Sequence, residues 1–373
     1  MSEIFILGLK EAINNSANLN TKELYDLVGQ NPGNLAFHYG INRIINKTPL
    51  STPWHSSPDV INAMGEIGVI PCANQLGSHV DMRGLADNLK QVKPSLVAIG
   101  LGAQSDINYN DIPIIPQGTL DWVEQVIKHA PSDKPNITVR GDFTLKVLNH
   151  YGFEGKALSL GCPSLLINED PNLGVLLEQR YKAPYKKIAI AAGQIHWGTM
   201  SMLESSLIRI MEDTGGAYIV QSTDEVIALS RNDFSYVSDE FKEKLKLYLK
   251  LNLDSNQFET WIRKYFISFY NIPAWMEYLR RFDFVIGPRI HGVMLAMQAG
   301  VPGLCIAHDS RIRELCEISK IPYVMASQIA NGITVQDIRN ITSFDGKAYD
   351  LNRSNIRARY REFFYNNKIL DRL

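Results

Sequence analysis

Arginine and histidine stand two residues apart in the segment Phe282–Pro302, which reads FDFVIGPRIHGVMLAMQAGVP. A buried strand, a Gly-Pro break and a helix of small residues would place Arg289 and His291 at the mouth of that helix. Free N–H groups and the helix dipole attract anions there, and the planar fork of arginine suits carboxylate or phosphate. Because histidine titrates near neutral pH, the pattern predicts an anion site beside a proton donor or acceptor. The plainer alternative is a loop salt bridge and a hydrogen-bonded interior histidine.

Two more arginines follow in the segment Cys305–Lys320, which predicts a helix capped by Asp309 or Ser310. Arg311 and Arg313 would lie in its first turn, where a positive side chain opposes the helix dipole. Such a placement indicates an anionic partner. A surface ion pair with a neighbouring carboxylate is the alternative.

Arg140 ends a short predicted strand in the segment Ile137–Phe143, ITVRGDF, and stands at the start of the next helix, where it could also form an ordinary ion pair with Asp142. Ligands bind at the carboxyl ends of strands in open α/β sheets, so other polar side chains that follow predicted strands are candidates for substrate contact. Gln104 closes the segment AIGLGAQ, which lacks the spacing of a phosphate-binding glycine loop. The candidates are Asn74, Gln104 and His196, together with Arg313.

The elements that would position these residues alternate along the chain. Short apolar runs that end near glycine are typical of buried strands in a parallel sheet, and they recur at Leu96–Gly100, Ile188–Gly193 and Phe282–Gly287. Helical patterns lie between and after them, at Leu120–His129, Phe143–His150, Ser238–Ile272 and Ser354–Asn366. The alternation predicts a doubly wound α/β fold.

The chain of 373 residues exceeds the size that one hydrophobic core normally supports. The polar stretch Asn168–Lys187 contains proline and glycine and marks a domain boundary. We therefore expect an N-terminal Rossmann-like domain over residues 1–168 and a C-terminal one with the anion site over 180–335. The final segment, 336–373, would carry a helix that docks back on one of them.

Lysine and arginine (38) balance aspartate and glutamate (39), so no net charge attracts nucleic acid or an anionic membrane. The cysteines form no CxxC pair and have no histidine at zinc-ligand spacing, so neither a metal site nor a disulfide framework is expected. Signal-peptide features are missing from the N-terminus, and the longest apolar run, Gly292–Ala307, is too interrupted to span a bilayer. We expect a cytoplasmic protein with reduced cysteines, no nucleic-acid partner and no transmembrane segment, at most peripherally bound to a membrane.

Together, AIGLGAQ, ITVRGDF and GPRIHGVMLAMQAGVPGLCIAHDSRIREL resemble segments that occur in this order in the polysaccharide pyruvyl transferase family. The match runs from Val97 to Pro322, and its last block is the most specific. The resemblance implies a fold similar to the GT-B glycosyltransferases, with two Rossmann-like domains facing a cleft. It also implies transfer of the pyruvyl group of phosphoenolpyruvate to two hydroxyls of one sugar, giving a cyclic ketal in a surface polysaccharide, such as an exopolysaccharide, or its precursor.

The family's motif positions fall on Arg140, Arg289, His291 and Arg311. The resemblance therefore implies three donor-binding arginines and a catalytic histidine, with phosphoenolpyruvate as a substrate and neither cofactor nor metal. Pro288 departs from the bulkier residue expected at its position. The N-terminal quarter of the chain, expected to face the saccharide acceptor, shows little that aligns, and a lipid-linked acceptor stays open.

Two other functions remain open on the sequence. A nucleotide-sugar-dependent glycosyltransferase of the GT-B class would share the architecture, and a helix mouth also suits a diphosphate. A non-catalytic sugar- or phosphate-binding protein would use the same arginines without turnover. Binding of phosphoenolpyruvate and phosphate release that depends on an acceptor separate the three.

Overall fold

Strands and helices alternate along the chain and build two parallel sheets. The computed structural model describes residues 3–46 and 49–373, and within them each sheet has six strands. The first sheet contains β1 (Ile4–Leu7), β2 (Leu50–Thr52), β3 (Ile67–Pro71), β4 (Ser95–Leu101), β5 (Ile137–Val139) and β6 (Ala157–Ser159), in the order β2-β1-β3-β4-β5-β6. The second contains β7 (Ile188–Ala191), β8 (Ala217–Ile219), β9 (Phe266–Ile267), β10 (Phe284–Gly287), β11 (Gly303–Ala307) and β12 (Tyr323–Met325), in the order β12-β11-β10-β7-β8-β9.

Helices connect the strands of each sheet. Those of the first unit are α1 (Thr21–Leu27), α2 (Asn34–Ile44), α3 (Pro58–Asn62), α4 (Arg83–Leu89), α5 (Gln117–Lys128) and α6 (Asp142–His150). After them come α7 (Leu173–Tyr181), α8 (Ser201–Thr214), α9 (Asp224–Ser230), α10 (Asp239–Leu249), α11 (Ser255–Tyr265), α12 (Ile272–Leu279), α13 (Ile290–Gln298), α14 (Ser310–Ser319), α15 (Val335–Ile341) and α16 (Gly346–Asn366). In the described ranges, no helix combines the length and the apolar character that a membrane crossing needs.

Every residue of β3 and of β7 is buried, as expected for parallel strands that are covered on both faces. All neighbouring strands in both sheets run parallel, for example β7 with β10 through the pair Ile190 and Ile286. The predicted α/β class, with two Rossmann-like units, is therefore confirmed.

The strand order reverses once in each sheet, and both reversals matter for the site. The chain leaves β1 for β2 on one side and then returns to β3 on the other; likewise β8 and β9 lie on one side of β7, and β10 lies on the other. The connections on either side of such a reversal leave a crevice at the carboxyl ends of the central strands. In the second sheet this crevice lies between the segments that follow β7 and β10, which carry Gln194 and Arg289.

The two units also share apolar packing. One continuous cluster of buried side chains includes Ile6 of β1, Val293 of α13 and Phe364 of α16. The last helix returns to the first unit, where the Tyr360 hydroxyl donates to the carbonyl oxygen of Gly161 over 3.2 Å. The cleft between the units is therefore backed by a common core.

Two sequence predictions need correction. The stretch Ser238–Ile272, predicted as helices, also contains β9, which extends the edge of the second sheet beside β8. A strand of two residues depends on its pairing partner and is too short to show an alternating pattern. The helix predicted from Ser354 begins earlier, at Gly346, where the Asp345 side chain accepts a hydrogen bond from the Ala348 N–H over 2.9 Å.

Candidate active site

A narrow cavity between the two units is lined by arginine, histidine and amide side chains. Arg140 reaches it from the first unit, and Arg289, His291 and Arg311 reach it from the second. The structure thus brings together the four residues on which the sequence motifs converge. Among residues 3–46 and 49–373, no group of three or more His, Cys, Asp and Glu side chains is arranged to hold a metal ion.

The Arg140 side chain is supported by the glycine-containing end of β4. It is 6% exposed and donates from Nε to the carbonyl oxygen of Gly100 over 3.1 Å. A Cβ atom at Gly102 would lie 2.7 Å from Cδ of Arg140, so a side chain there would displace the arginine. Gly100 has a φ of +82°, which glycine adopts at little cost. In AIGLGAQ, Gly102 therefore leaves room for Arg140 and Gly100 supplies the carbonyl oxygen that holds it.

Arg289 is the N-cap residue of α13 and follows β10 after a Gly-Pro pair. Its Nη2 donates to Ser222 Oγ and, over 3.4 Å, to Gln194 Oε1, while the guanidinium lies 4.8 Å from the centre of the Trp197 ring. Its buried Nε has no hydrogen-bond partner within the described part of the chain. Burial lowers the pKa of Arg289 to about 10, which leaves the group charged at neutral pH. The side chain is thus a fixed cation whose Nε–H could donate to a bound anion.

His291 is the second residue of α13 and is 8% exposed. Its Nε2 lies 3.6 Å from Sγ of Cys162, and its ring centre lies 5.6 Å from that of Phe37. Burial, followed by the positive charge of Arg140, lowers the pKa of His291 to about 3. The imidazole of the free protein is therefore neutral at physiological pH. The imidazolium expected from the sequence would need an anion bound beside it.

Arg311 lies in the first turn of α14, and Asp309 is the cap of that helix. The carboxylate accepts from the Ile312 N–H over 3.0 Å and from Nε and Nη2 of Arg311 over 3.2 and 2.5 Å. The ion pair that the sequence left as an alternative is therefore present. The Arg311 side chain is nevertheless only 25% exposed and lines the cavity, so the carboxylate orients it there.

Apart from Asp309, which pairs with Arg311, the buried carboxyl groups near these arginines are poorly suited to cancel their charge. Burial raises the pKa of Glu204, and it raises the pKa of Glu314 to about 7. After burial, the charge of Arg311 is among the groups that lower the pKa of Arg140 and of Arg289. Buried cations in excess of their partners are unfavourable unless an anion joins them. The cavity is thus electrostatically prepared for a small anionic ligand.

Arg313 does not line this cavity. Its Nε pairs with Glu317 over 2.8 Å, its Nη1 donates to the carbonyl oxygen of Ile107 over 2.9 Å, and its guanidinium lies 4.7 Å from the centre of the Tyr109 ring. The contact with Glu317 lies within α14, and those with Ile107 and Tyr109 join α14 to the first unit. The structure gives this arginine a role in holding the two units together.

The other polar candidates are divided among several places. Asn74 lines the cavity, and its Nδ2 donates to Gln104 Oε1 over 3.1 Å. Gln104 therefore contacts Asn74 but does not line the cavity itself. His196 is exposed and lines a separate hollow beside Trp197 and His308. Of these candidates, the structure brings only Asn74 to the arginines.

The cavity also contains residues that the sequence did not single out. His308 follows β11, its ring centre lies 4.0 Å from that of Trp197, and its Nε2 lies 3.5 Å from Oδ2 of Asp309. It could have been found by applying the rule that functional residues follow strands to the segment CIAHDSR. Asn31, Asn34 and Gln221 also line the cavity. Asn31 lies in the turn before α2 and Asn34 is the first residue of that helix, and neither stands in a recognisable motif.

The comparisons with known proteins agree with the motifs. A family model described as polysaccharide pyruvyl transferase matches residues 109–310, more than half of the chain, a range that includes Arg140, Arg289 and His291 and ends just before Arg311. No curated protein sequence matches significantly.

Solved structures with a distant likeness cover nearly the whole chain. A UDP-GlcNAc 2-epimerase from Methanocaldococcus jannaschii is 12% identical, with a TM-score of 0.41 over 96% of this chain and 99% of the epimerase. MnaA of S. aureus, solved with UDP, is 11% identical, with a TM-score of 0.46 over 98% and 97%. HepE of Anabaena, solved with UDP and glucose, is 11% identical, with a TM-score of 0.45 over 99% and 98%. None of these shows what this chain binds.

Proposed function

The chain belongs to the polysaccharide pyruvyl transferase family, and from that premise we propose that it transfers the pyruvyl group of phosphoenolpyruvate to two hydroxyls of one sugar. The product would be a cyclic ketal in a surface polysaccharide, such as an exopolysaccharide, or in its precursor. The observation that carries the proposal is the convergence of Arg140, Arg289, Arg311 and His291 on one cavity with excess positive charge.

The donor suits this cavity because it carries two anionic groups. Phosphoenolpyruvate has a carboxylate and a phosphate, and its binding needs at least two cationic anchors. Arg140 and Arg289 approach from opposite units and Arg311 from a helix N-terminus, so a small dianion between them would meet all three. We assign the three arginines to donor binding.

The reaction requires one group that can take up and release a proton. The first sugar oxygen bonds to C2 of the donor while C3 gains a proton, the bond from C2 to the phosphate oxygen breaks, and the second sugar oxygen then bonds to C2. One proton moves from the first hydroxyl to C3, and the other leaves the second hydroxyl and departs with phosphate. His291 is the candidate for these transfers because it lines the cavity beside Arg140. The scheme calls for neither a cofactor nor a metal.

The acceptor would approach from the first unit, where two hollows adjoin the arginine cavity. One shares Asn74 with the cavity, and the other shares Asn34 and Ala73. Trp54 and His55 line both hollows, and an indole combines a flat apolar face with a polar edge that suit a sugar. The second hollow also has apolar walls, formed by Leu9, Ile13, Leu27 and Phe37. This combination supports a saccharide with an apolar group, such as a lipid-linked precursor.

We also propose that the reaction takes place in the cytoplasm. Cys72, Cys162, Cys305 and Cys316 are all free and buried, as is usual for proteins of a reducing compartment. Gently lysed cells can be separated into soluble and membrane fractions. If a lipid-linked acceptor brings the protein to the membrane surface, part of it should be found in the membrane fraction.

Thermal unfolding with added ligands tests the donor. A ligand that binds only the folded state raises the unfolding temperature in proportion to the logarithm of its concentration over its Kd. Phosphoenolpyruvate should stabilise the protein and a panel of nucleotide sugars should not. The reverse result would favour a nucleotide-sugar glycosyltransferase, whose diphosphate would also suit the helix mouth.

Phosphate release tests turnover. A pyruvyl transferase should release phosphate from phosphoenolpyruvate only when a suitable saccharide is present. Binding of phosphoenolpyruvate without release, across a broad panel of saccharides, would favour a non-catalytic binding protein.

A further inference from the structure

Behind His291, three side chains form a buried line of hydrogen-bonding contacts that leads away from the cavity. Nε2 of His291 lies 3.6 Å from Sγ of Cys162, and this sulfur lies 2.9 Å from Oγ of Ser164. Ser164 Oγ in turn lies 2.7 Å from Sδ of Met294, one turn further along α13. The line therefore begins at one histidine nitrogen and ends at a thioether.

The thioether determines the direction of this line. A thioether sulfur carries no proton and can only accept, whereas a hydroxyl and a thiol can each donate and accept. The Ser164 hydroxyl therefore donates to Met294, which leaves its oxygen free to accept from the thiol of Cys162. The Cys162 sulfur can then accept from the N–H on Nε2 of His291. Three contacts need three hydrogens, and Ser164 and Cys162 supply only two, so each contact contains one hydrogen only if the His291 proton is on Nε2.

The surroundings hold this arrangement in place. Ser164 is fully buried and Cys162 is 2% exposed, so water does not compete for their hydrogens. A Cβ atom at Gly40 of α2 would lie 2.7 Å from the backbone nitrogen of Ser164, which shows how closely that helix packs on the turn. Burial raises the pKa of the Cys162 thiol, so it keeps its hydrogen at neutral pH.

We propose that Cys162, Ser164 and Met294 are positioning residues that hold neutral His291 with its proton on Nε2, leaving Nδ1 as a bare acceptor towards the cavity. His291 lines that cavity, and Nδ1 has no hydrogen-bond partner within the described part of the chain. We expect this Nε2–H form of His291 in the protein before any substrate binds.

The catalytic consequence rests on the proposed function. A histidine with an unprotonated Nδ1 acts first as a base: Nδ1 takes the proton of the first sugar hydroxyl as its oxygen bonds to C2. The imidazolium so formed, stabilised by the adjacent phosphate, gives that proton to C3 within the same addition step, where the electron pair of the C2–C3 double bond accepts it. This order differs from the role of general acid in the free enzyme, and it agrees with the neutral His291 described above.

Nitrogen-15 NMR of the histidine side chains in the full-length protein, without substrate, tests the tautomer directly. The His291 resonances, assigned by their loss in His291→Gln, should show a protonated Nε2 and an unprotonated Nδ1 at neutral pH. A predominant Nδ1–H form in the wild-type protein would overturn the proposal. Because neither donor nor acceptor is present, this result does not depend on the reaction that the protein catalyses.

Three variants test whether the line of contacts sets the tautomer. Cys162→Ala should mix the two tautomers, Cys162→Ser should restore the Nε2–H form because a hydroxyl can also accept and donate, and Met294→Leu should weaken the preference by removing the terminal acceptor. An unchanged His291 spectrum in folded Cys162→Ala and Met294→Leu would contradict the assignment.

The kinetic readout separates a positioning role from general damage. With a competent donor and acceptor, Cys162→Ala should lower kcat by about 10–100-fold, the loss seen when an orienting partner of a metal-binding histidine is removed. KM for phosphoenolpyruvate should change little, and Cys162→Ser should recover most of the rate. Equal loss of kcat in Cys162→Ala and Cys162→Ser, with the tautomer intact in both, would show that Cys162 acts by packing alone.

Discussion

Arg289 and His291 lie in the same helical turn, but only one of them can exchange a proton. Arginine remains charged throughout the physiological range and has no acceptor, so it can bind an anion without moving protons. Histidine can do both, and burial beside the charge of Arg140 keeps His291 neutral in the free protein. Substitutions at the two positions should therefore affect different kinetic constants.

Arg289→Ala should weaken phosphoenolpyruvate binding by roughly 2–5 kcal/mol, the cost of removing one partner of a hydrogen-bonded charge pair. Calorimetric titration of the folded variant with phosphoenolpyruvate measures the loss. Arg280→Ala, which removes an exposed arginine paired with Glu277, is the control and should bind normally. Equal affinity in the two variants would mean that the donor does not contact Arg289.

His291→Gln keeps a polar side chain but removes the titratable group, so turnover should fall by about 10²–10⁴ while donor affinity changes little. Acceptor-dependent phosphate release measures the rate, and titration measures the affinity. His196→Gln is the matched control, because His196 is exposed and lies outside the arginine cavity. Near-normal turnover in His291→Gln would leave His291 a structural residue, and His308 would become the next candidate.

Four residues that the sequence assigned to one site do lie together, and each stands shortly after a strand within a distinctive motif: Arg140, Arg289, His291 and Arg311. His308 also follows a strand within the last matched block, and the rule that functional residues follow strands would have found it. Asn34 could not have been found, because it enters the cavity through packing of α2 against the second unit, which no local pattern encodes. Arg313 was a candidate for substrate contact because it shares the first turn of α14 with Arg311. Its side chain instead pairs with Glu317.

At the scale of elements, α6 depends on α14 for its N-terminal cap. The N-cap residue of α6 is Gly141, which has no side chain that could cap the helix. Glu314 of α14 instead accepts from the Thr144 N–H over 2.7 Å and from the Thr144 hydroxyl over 2.8 Å. Because Arg140 directly precedes the N-cap residue Gly141, the cap also ties a cavity arginine to the opposite unit. A buried carboxyl is thus part of the join between the two units.

The Glu314 carboxyl should make stability depend on pH. Burial raises its pKa from 4.5 to about 7, so the folded state binds a proton that the unfolded chain releases between these values. The free energy of unfolding should therefore fall as pH rises from 4.5 to 7, by up to about 3 kcal/mol from this group.

Urea unfolding of Glu314→Gln at a series of pH values measures this contribution. The variant should lose less stability than the wild type between pH 5 and pH 8, because its amide does not titrate. Glu124→Gln, at an exposed carboxylate paired with Lys128, should keep the wild-type profile. Identical profiles in the wild type and Glu314→Gln would show that Glu314 does not titrate in this interval.

Elements with long periodic patterns were predictable, and those that depend on distant partners were not. The helix predicted at Leu120–His129 is observed as α5, with Trp122, Val123 and Val126 buried on one face. In contrast, β9 exists through its pairing with β8. The cap of α6 escaped prediction for the same reason, since Glu314 is far from Thr144 in the chain.

At the scale of the whole molecule, donor binding should depend only weakly on salt. The formal net charge is −1, so attraction must come from the arginines of the cavity, where burial limits screening. The Kd for phosphoenolpyruvate, measured at rising concentrations of potassium chloride, should increase gradually. A collapse of affinity at modest salt would indicate a diffuse basic surface in place of a built site.

The most direct test of the proposed activity is mass spectrometry of saccharides incubated with the protein and phosphoenolpyruvate. We predict that an acceptor gains the mass of one pyruvate less one water, with one phosphate released for each product molecule. The same mixture with His291→Gln should give little product. If no saccharide gains this mass, while incubation with a nucleotide sugar adds a glycosyl unit, then the cavity of Arg140, Arg289 and Arg311 binds a diphosphate and the proposed pyruvyl transfer is wrong.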